Sequence, residues 1–376
     1  MNLLQNVNQG EHMLFHKAAG LKQPLNGSIE LLPLCNMNCD MCYVRLSKEE
    51  METKGKLRTA GEWIEIAKQM KEAGVLFLLL TGGEPLLYAE FREVYLALKE
   101  MGMIITLNTN GTMIDEKWAD FFGKNKPRRI NVTLYGAKEA TYKELCHYSD
   151  GFQKAIDGIH LLQEQGVEVK INANIVKANA KDVDSFFKIG KNLGVPVTIN
   201  TYIIPSVRER EKTFNWNARL SPEEAAWMKV YVRIREIGEE GFLKEARETF
   251  DMLRKSQNDV ESPIPMKCLA GKCSFTVNWQ GEMRPCVMLE KPGISVFDAG
   301  FQNAWKYVVA ETEKIFLNAK CGACKLRLIC QNCAACAFYE GGSFNSKPEY
   351  MCQYTHALYT TIKREAVRIS RDDKTI

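Results

Sequence analysis

The stretch SIELLPLCNMNCDMCY, residues 28–43, joins a run of β-forming residues directly to three closely spaced cysteines. Five further β-rich runs follow as far as residue 202, and segments of helical period separate them. Such alternation is typical of repeated βα units around a parallel sheet. The predicted strands are 28–34, 75–81, 104–109, 130–135, 168–176 and 197–202. Six units predict an α/β fold, a partial (β/α)6 TIM-like barrel, with ligands expected at the C-terminal edge of its strands.

The composition indicates a globular protein of low net charge. The 376 residues carry 50 Lys and Arg against 46 Asp and Glu, a formal net charge of +4. So small a charge, without a basic run, argues against duplex nucleic acid as a partner. The longest strongly apolar stretch, 75–80, is far shorter than the ~20 residues that cross a bilayer. The first residues lack the order of a signal peptide, so we expect a cytoplasmic protein without a membrane partner.

Changes in sequence character predict four segments. An N-terminal extension covers 1–27, and the partial barrel covers 28–204. Residues 205–262 are charged and helix-forming, with Ser221 as an N-cap, and are expected to form a helical bridge. Residues 263–376 combine strand and turn signals with many cysteines and end in a predicted helix. We expect bound metal to hold this last region together, because it is too loop-rich to fold on apolar burial alone.

Thirteen cysteines are many for a chain expected in a reducing compartment, where structural disulfides are rare. Cys35, Cys39 and Cys42 have the spacing C-x3-C-x2-C, and Tyr43 follows them. Three thiolates on one tight loop can each bind one iron of a 4Fe-4S cubane, which leaves one iron open to a substrate or cofactor. From these residues alone, a zinc loop or a ferredoxin cluster with its fourth thiolate elsewhere remains an alternative.

The second predicted strand ends in TGGEP, residues 81–85. Gly82 and Gly83 allow backbone to approach a ligand closely, Glu84 offers a carboxylate to an ammonium group, and Pro85 completes the motif. Taken by itself, such a segment is an ordinary tight connection between a strand and a helix. One βα unit after the cysteine loop, it indicates a cofactor site.

Together the two motifs resemble those of the radical S-adenosylmethionine (radical SAM) enzymes, from residue 28 to about 202. The resemblance implies that Cys35, Cys39 and Cys42 bind a 4Fe-4S cluster beside Tyr43, and that residues 82–85 hold the amino group of S-adenosyl-L-methionine. In this family one electron from the cluster cleaves the sulfonium to a 5'-deoxyadenosyl radical, which abstracts hydrogen from an unreactive C–H bond. The electron is expected from a small reductant such as flavodoxin or ferredoxin.

The resemblance implies further cofactor contacts at the ends of later strands. Asn108 and Asn110 end the third strand, where the family presents polar side chains, and Thr133 ends the fourth, where a serine is common. Many members also have an arginine after the fourth strand that pairs with the cofactor carboxylate. Lys143 is the substitute here, although a point charge then replaces a planar fork. For each of these residues, the alternative is a polar side chain that satisfies local backbone.

The later cysteines form a second pattern. Twelve residues separate Cys268 from Gly281, Cys286 follows, and a C-x2-C-x5-C-x2-C run begins at Cys321. This pattern resembles the SPASM extension of radical SAM enzymes, which carries two auxiliary 4Fe-4S clusters and so implies three clusters in all. By analogy, the first auxiliary cluster is assigned to Cys268, Cys273, Cys286 and Cys333, and the second to Cys321, Cys324, Cys330 and Cys352.

The assignment leaves some alternatives open. The spacing at Cys333 is one residue shorter than usual and Cys336 is extra, so either of the two is a candidate ligand. Paired C-x2-C motifs also build zinc ribbons. Cys146 and Cys336 are each either a buried apolar residue or a thiol that donates a hydrogen atom to a substrate radical. Cys146 follows the fourth strand, near the expected barrel mouth, and is the candidate catalytic residue.

The resemblance implies a radical SAM oxidoreductase that modifies a residue of a peptide or protein. SPASM members mature ribosomally made peptides (RiPPs) by cross-linking, thioether formation, epimerisation or oxidation. The residues before the first strand are expected to be too few for the leader-binding domain of several such enzymes, so a separate leader-binding protein is a candidate partner. The alternatives are a radical SAM dehydrogenase or related enzyme acting on a small molecule, and a non-enzymatic iron-sulfur or zinc module.

Overall fold

The computed structural model describes residues 9–204, 218–256 and 261–372. Its strands are β1 (Asn26–Glu30), β2 (Phe77–Thr81), β3 (Ile104–Thr109), β4 (Arg129–Thr133), β5 (Val169–Asn174), β6 (Val197–Asn200), β7 (Ile264–Pro265), β8 (Ser274–Val277), β9 (Glu282–Arg284), β10 (Ile294–Ser295) and β11 (Phe316–Leu317). The main sheet has the order β10-β9-β8-β1-β2-β3-β4-β5-β6. The strands from β8 to β6 in this order are parallel, whereas β9 and β10 run antiparallel to their neighbours.

Helices cover the outer face of the sheet and also form nearly half of the C-terminal region. They are α1 (Gln9–Leu21), α2 (Lys48–Lys54), α3 (Ala60–Glu72), α4 (Phe91–Glu100), α5 (Glu116–Lys124), α6 (Glu139–Cys146), α7 (Gly151–Glu164), α8 (Val183–Leu193), α9 (Pro222–Lys255), α10 (Val296–Ala299), α11 (Phe301–Glu313), α12 (Ala319–Gly322), α13 (Ala334–Gly341) and α14 (Glu349–Asp372). Capping boxes start α2, α3 and α9, in which a Ser or Thr and the Glu three residues later satisfy each other's backbone N–H groups.

The later barrel strands, β4 to β6, each bury one apolar face against the helices and turn a polar face inward, whereas Leu79 on the same inner face of β2 is apolar. In β4, for example, Ile130 and Val132 are fully buried in the main core, and Asn131 lies between them on the other face. Successive side chains of a strand point to opposite faces, so this alternation separates an apolar shell from a polar interior. The sequence analysis did not predict this polar inner face.

The predicted partial barrel is confirmed. All six predicted strands are present, and β3 has its predicted bounds, while the others differ by a few residues at one or both ends. Several helices, among them α1, α2, α6 and α11, were not predicted. The predicted bridge helix is α9, which is interrupted at Gly238, where the backbone leaves helical geometry. Parts of the predicted segments, 1–8, 205–217, 257–260 and 373–376, lie outside the described residues.

The C-terminal region is more closely integrated with the barrel than the sequence suggested. β8 pairs with β1 and extends the barrel sheet, and Phe275, Phe301 and Trp305 belong to the main core. The bridge helix α9 packs along the closing helix α14. Apolar burial therefore contributes to holding this region in place, in addition to any bound metal. Among the described helices, none combines the length and apolar character needed to span a bilayer.

Candidate functional site

The cysteine loop lies directly after β1, at the C-terminal edge of the parallel strands. The C-terminal end of helix α6 holds the loop in place, because the Asn38 N–H donates to the Cys146 carbonyl (2.9 Å) and the Asp40 N–H donates to the Leu145 carbonyl (3.0 Å). These two backbone hydrogen bonds fix the middle of the loop. The structure thus holds Cys35, Cys39 and Cys42 on one rigid turn at the edge where parallel α/β folds bind ligands.

Backbone N–H groups point at two of the three sulfurs. The Met37 N–H donates to Cys35 Sγ (3.4 Å) and the Arg45 N–H donates to Cys42 Sγ (3.3 Å). Burial raises the pKa of the Cys35 thiol strongly, and the charges of Glu84 and the other two thiolates add to the rise. A bound cation or cluster removes this penalty, because coordination keeps the sulfur deprotonated. The donor set therefore fits a thiolate-bound cluster.

The spacing of the thiols bears on which metal they suit. Over 9–204, 218–256 and 261–372, no three His, Cys, Asp or Glu side chains converge as a single metal ion requires. Tetrahedral zinc draws its ligands to within about 2.3 Å of one point. A cubane instead binds each thiolate at a different iron, so its ligands stand farther apart. The two kinds of centre therefore differ in the ligand spacing that they require.

The GGEP segment packs directly against the entry to the cysteine loop. The Gly83 N–H donates to the Leu32 carbonyl (2.8 Å) and the Glu84 N–H to the Leu34 carbonyl (2.9 Å). A Cβ on Gly83 would lie 2.1 Å from the Leu34 carbonyl oxygen, and Gly82 has a φ of +142°. Only glycine permits this approach. The predicted proximity of the two motifs is therefore present in the structure.

Glu84 is fully buried and joins the ends of β2 and β3. One carboxylate oxygen accepts from the Thr109 hydroxyl (2.8 Å) and the Leu86 N–H (3.1 Å), and the other accepts from the Asn110 N–H (2.8 Å). Burial nevertheless raises the pKa of Glu84 to about 7, against the lowering effect of these donors. A carboxylate has about four acceptor positions, so one is left for an ammonium group. Glu84 thus also positions the neighbouring strand, a role that the sequence analysis did not assign.

Asn110 connects the third strand to the cysteine loop. Its side-chain amide donates to Asn36 Oδ1 (2.8 Å) and lies 3.8 Å from Cys35 Sγ, and its oxygen accepts from the Thr112 hydroxyl (2.7 Å). Asn36 in turn donates to the Thr112 hydroxyl oxygen (2.9 Å). The sequence analysis missed Asn36 and Thr112. Their signal was available, because Asn36 follows the first cysteine and Thr112 follows LNTNG.

The other predicted cofactor residues are more scattered. Asn108 accepts from the Asn131 amide (2.8 Å) on the inner face of the sheet, and the half-buried Thr133 ends β4 on the same face. Tyr43 is half-buried next to Cys42. Lys143 is exposed on α6, whose buried face supports the cysteine loop, so the structure does not bring Lys143 to the other residues.

Cys146 is fully buried beneath the cysteine loop. It belongs to an apolar cluster with Met37, Cys39 and Met41, next to Tyr142. Burial raises the pKa of Tyr142 well above its ordinary value. This position on the far side of the loop agrees with the alternative of apolar packing. The role of a hydrogen-atom donor stays a prediction.

The inner face of the barrel strands is rich in amides. Asn131 donates to Asn108, and Asn200 donates to Asn174 Oδ1 (3.1 Å). Further polar positions on this face, inferred from strand alternation, are Thr106, Arg129, Thr133, Lys170, Asn172 and Thr198. Burial, and then the charge of Arg129, lower the pKa of Lys170. This inner face therefore presents hydrogen-bond donors, hydrogen-bond acceptors and two cationic side chains, those of Arg129 and Lys170.

The structure sorts the later cysteines into two sets. Cys268, Cys286 and Cys333 form the first auxiliary group: burial and the charges of the nearby Cys333 and Cys268 together raise the pKa of Cys286 to about 11, against the lowering effect of the Met288 N–H. The second auxiliary group consists of Cys321, Cys324, Cys330 and Cys352, and burial followed by the charges of the other three raises the pKa of Cys352. Cys273 is not brought into either set.

Cys336 belongs to a buried network that joins the barrel to the C-terminal region. The Tyr202 hydroxyl, just beyond β6, lies 3.1 Å from Cys336 Sγ and donates to Glu340 Oε1 (2.8 Å). Arg219 forms an ion pair with the same Glu340 oxygen (2.8 Å), and its guanidinium stacks over Tyr350 at 3.7 Å. Both members of this ion pair are at least nine-tenths buried.

Comparison with known proteins identifies the family. Residues 29–190 match the sequence profile of the radical SAM superfamily. The chain contains a radical SAM domain. Such a domain binds S-adenosylmethionine and one 4Fe-4S cluster. An AdoMet-dependent heme synthase from Methanosarcina barkeri is 23% identical over 348 residues, which cover 86% of this radical SAM chain and 95% of that protein.

Other relatives match parts of the chain or its fold. A probable GTP 3',8-cyclase from Saccharolobus islandicus is 31% identical over 172 residues, which are 44% of this chain and 53% of that protein. The solved structure of Streptococcus suis SuiB bound to S-adenosylmethionine has a TM-score of 0.65 at 16% identity, covering 93% of this chain and 84% of SuiB. Native anSMEcpe with bound AdoMet has a TM-score of 0.67 at 20% identity, covering 93% of this chain and 100% of that chain. At these identities the two structures establish the shared fold of a radical SAM protein.

Proposed function

We propose that the chain is a radical SAM oxidoreductase that modifies a residue of a peptide or protein substrate. The observation that carries this proposal is the amide-rich inner face of the barrel. The side chains of Asn108, Asn131, Asn174 and Asn200 offer both donors and acceptors, as a peptide backbone requires. Solved structures of the same fold also include SuiB bound to precursor peptide SuiA and anSMEcpe with the Cp18Cys peptide.

Under this proposal, Cys35, Cys39 and Cys42 hold the first cluster and leave one iron to S-adenosylmethionine. When bound, the pair supplies a 5'-deoxyadenosyl radical that abstracts a hydrogen atom from the substrate. Glu84 accepts the cofactor ammonium in its remaining acceptor position, and Gly82 and Gly83 let the backbone approach it. The cysteines of the two auxiliary groups would hold further 4Fe-4S clusters, which would supply one-electron acceptors for a substrate that is oxidised.

The network around Asn110 has a positioning role in the proposal. Asn110 donates to Asn36 and lies near Cys35, so it sets the cysteine loop relative to the end of β3. Glu84 fixes the Asn110 backbone. A change in either residue therefore alters the cofactor site through the loop, even where the cysteines are intact.

A second candidate is an enzyme that acts on a small molecule bearing carboxylates. Two observations favour it. The relatives that match almost over their full length are named heme synthases, and the inner face also contains the cationic Arg129 and Lys170. Paired cations on one face can bind carboxylates. The two candidates differ in the substrate that loses hydrogen.

Isotope transfer distinguishes the two candidates. Cells of the source organism are grown in deuterated medium, and their extract is separated into a peptide and protein fraction and a small-molecule fraction. Each fraction is incubated anaerobically with the reconstituted protein, unlabelled S-adenosylmethionine and a reductant. Mass spectrometry then measures deuterium in the 5'-deoxyadenosine formed. The control is the protein with Cys35, Cys39 and Cys42 all changed to alanine.

The peptide proposal predicts deuterium in 5'-deoxyadenosine only with the peptide and protein fraction. Deuterium only with the small-molecule fraction would support the second candidate instead. No 5'-deoxyadenosine from a protein that holds its clusters would refute both, and would leave a non-enzymatic iron-sulfur module. Formation by the triple alanine control would contradict the assignment of the cysteine loop.

A further inference from the structure

Cys273 lies at the opposite end of its strand from the cysteine loop. It immediately precedes β8, and its carbonyl accepts from the Leu25 and Asn26 N–H groups (2.9 and 3.1 Å) at the start of β1. The cysteine loop follows the far end of β1. The Cys273 N–H is also engaged, donating to the Leu269 carbonyl (3.0 Å). The backbone here is therefore fixed by the sheet itself.

The Cys273 thiol is enclosed by an apolar cluster. It is fully buried among Phe15, Ala18, Leu25 and Phe77, and it lies 3.7 Å from the Phe15 carbonyl oxygen. Burial raises the pKa of the Cys273 thiol to about 11, against the lowering effect of the Lys272 charge. A thiol in such surroundings behaves as a small apolar residue.

The first auxiliary group lies in a different cluster. Cys286 and Cys333 both pack on the apolar cluster that contains Leu289 and Ile315. The Met288 N–H donates to Cys286 Sγ (3.4 Å) and the Cys336 N–H donates to Cys333 Sγ (3.5 Å), as N–H groups around cluster sulfurs do. Cys268, the third member, is exposed, so this group is accessible to solvent.

Cys336 does not supply the missing fourth thiol. It follows Cys333 by three residues, but it is fully buried in the main core rather than in the cluster of Cys286. Its sulfur lies 3.1 Å from the Tyr202 hydroxyl, within the network of Glu340. All thirteen cysteines of the chain are described, and the others belong to the cysteine loop, to the second auxiliary group or to the cluster beneath the loop.

We propose that the first auxiliary site has three cysteine ligands, Cys268, Cys286 and Cys333, and that its fourth iron takes a sulfur or nitrogen donor from the substrate. This inference rests on the proposed auxiliary clusters. The site adjoins the barrel mouth, because Ile204, just beyond β6, packs on the same apolar cluster. A peptide with a cysteine or histidine side chain would satisfy both this iron and the amide-lined barrel.

The first test compares cysteine variants by cluster content. Full-length Cys273→Ala is reconstituted anaerobically beside Cys268→Ala as the matched control. Three cubanes contain about twelve iron and twelve sulfide per chain. We expect Cys273→Ala to retain this content and the unchanged electron paramagnetic resonance (EPR) spectrum, and Cys268→Ala to lose about four iron. Loss of one cluster in Cys273→Ala, with helical content preserved by circular dichroism, would overturn the proposal.

The second test does not depend on how Cys273 variants fold. Cys35, Cys39 and Cys42 are changed to alanine, which removes the first cluster and its open iron. Imidazole labelled with 15N is then added, and pulsed EPR of the reduced protein measures nitrogen coupling. The proposal predicts a 15N coupling on one auxiliary cluster. Absence of coupling would show a fourth protein ligand and would overturn it.

Adding Cys336→Ala to the variant that lacks Cys35, Cys39 and Cys42 tests whether Cys336 is a ligand. We expect the same 15N coupling and the same iron content with or without this substitution. Loss of a cluster on Cys336→Ala would make Cys336 the fourth ligand and would overturn the proposal. A wild-type chain that holds only about four iron in total would instead refute the auxiliary clusters themselves, while the cysteine loop and its function would stand.

Discussion

The Glu84→Gln variant should lack part of the pH dependence of stability that the wild-type chain shows. The carboxyl group is fully buried, and its pKa is raised to about 7 by burial, from an ordinary 4.5. The folded chain therefore holds this proton to higher pH than the unfolded chain does. The stabilisation is complete below the ordinary pKa and is lost as pH rises through about 7. Glutamine cannot ionise, so the variant lacks this loss.

The size of the effect follows from the two pKa values. For one group with a folded pKa of about 7 and an unfolded pKa of 4.5, the free energy of unfolding falls by about 2.5 kcal/mol between about pH 5 and about pH 8.5. We expect the wild-type chain to lose about this much more stability than Glu84→Gln over the same interval. The comparison uses the change with pH, so any constant effect of glutamine on packing cancels.

The assay is urea unfolding of the metal-free chain under a reductant, followed by tryptophan fluorescence at both pH values. Trp63 in the main core reports on the barrel. The control is Glu52→Gln on α2, whose side chain is exposed and whose curve should run parallel to that of the wild type. Parallel curves for Glu84→Gln as well would refute the reasoning. In the reconstituted protein, the same variant should weaken S-adenosylmethionine binding about tenfold or more, because a charged hydrogen bond is lost.

Two further substitutions test packing. Gly83→Ala should lower both stability and S-adenosylmethionine binding, because its Cβ would lie 2.1 Å from a backbone oxygen. In the control Gly20→Ala on α1, the added Cβ meets no atom within 4 Å, so both properties should stay nearly unchanged. Thermal unfolding and equilibrium binding are measured for both variants, and equal effects would contradict the close approach at Gly83. Arg219→Ala should cost about 3–5 kcal/mol in the free energy of unfolding, because it leaves Glu340 charged and buried. The exposed Arg254→Ala should cost less than about 1 kcal/mol. A small loss at Arg219 would show that Glu340 is neutral or solvated.

The sequence predicted the barrel because its signals are local. Alternation of strand and helix patterns is a property of neighbouring residues, and α/β units of this length bury each strand against the helix that follows it. The same is true of the cysteine loop and the GGEP segment. Each is a short motif at a strand end, and parallel strands bring their ends to one edge. The pairing of Gly83 with the entry to the cysteine loop therefore follows from sequence order alone.

The sequence could not predict where distant segments meet. Spacing placed Cys273 with Cys268, five residues away, but packing against α1 encloses the Cys273 thiol in the apolar cluster of Phe15 and Phe77. The exposed position of Lys143 likewise depends on which face of α6 supports the loop. Neither fact is encoded in local pattern.

The sequence by itself thus determined the radical SAM motifs, the partial barrel and the position of the cysteine loop, because each depends on residues close together in the chain. Only the tertiary structure decided that Glu84 joins two strand ends, that amides line the barrel and that Cys336 faces Tyr202. The physical reason is that burial and side-chain partners arise from contacts between segments far apart in the chain. Such contacts set pKa values and ligand sets, and no spacing rule contains them.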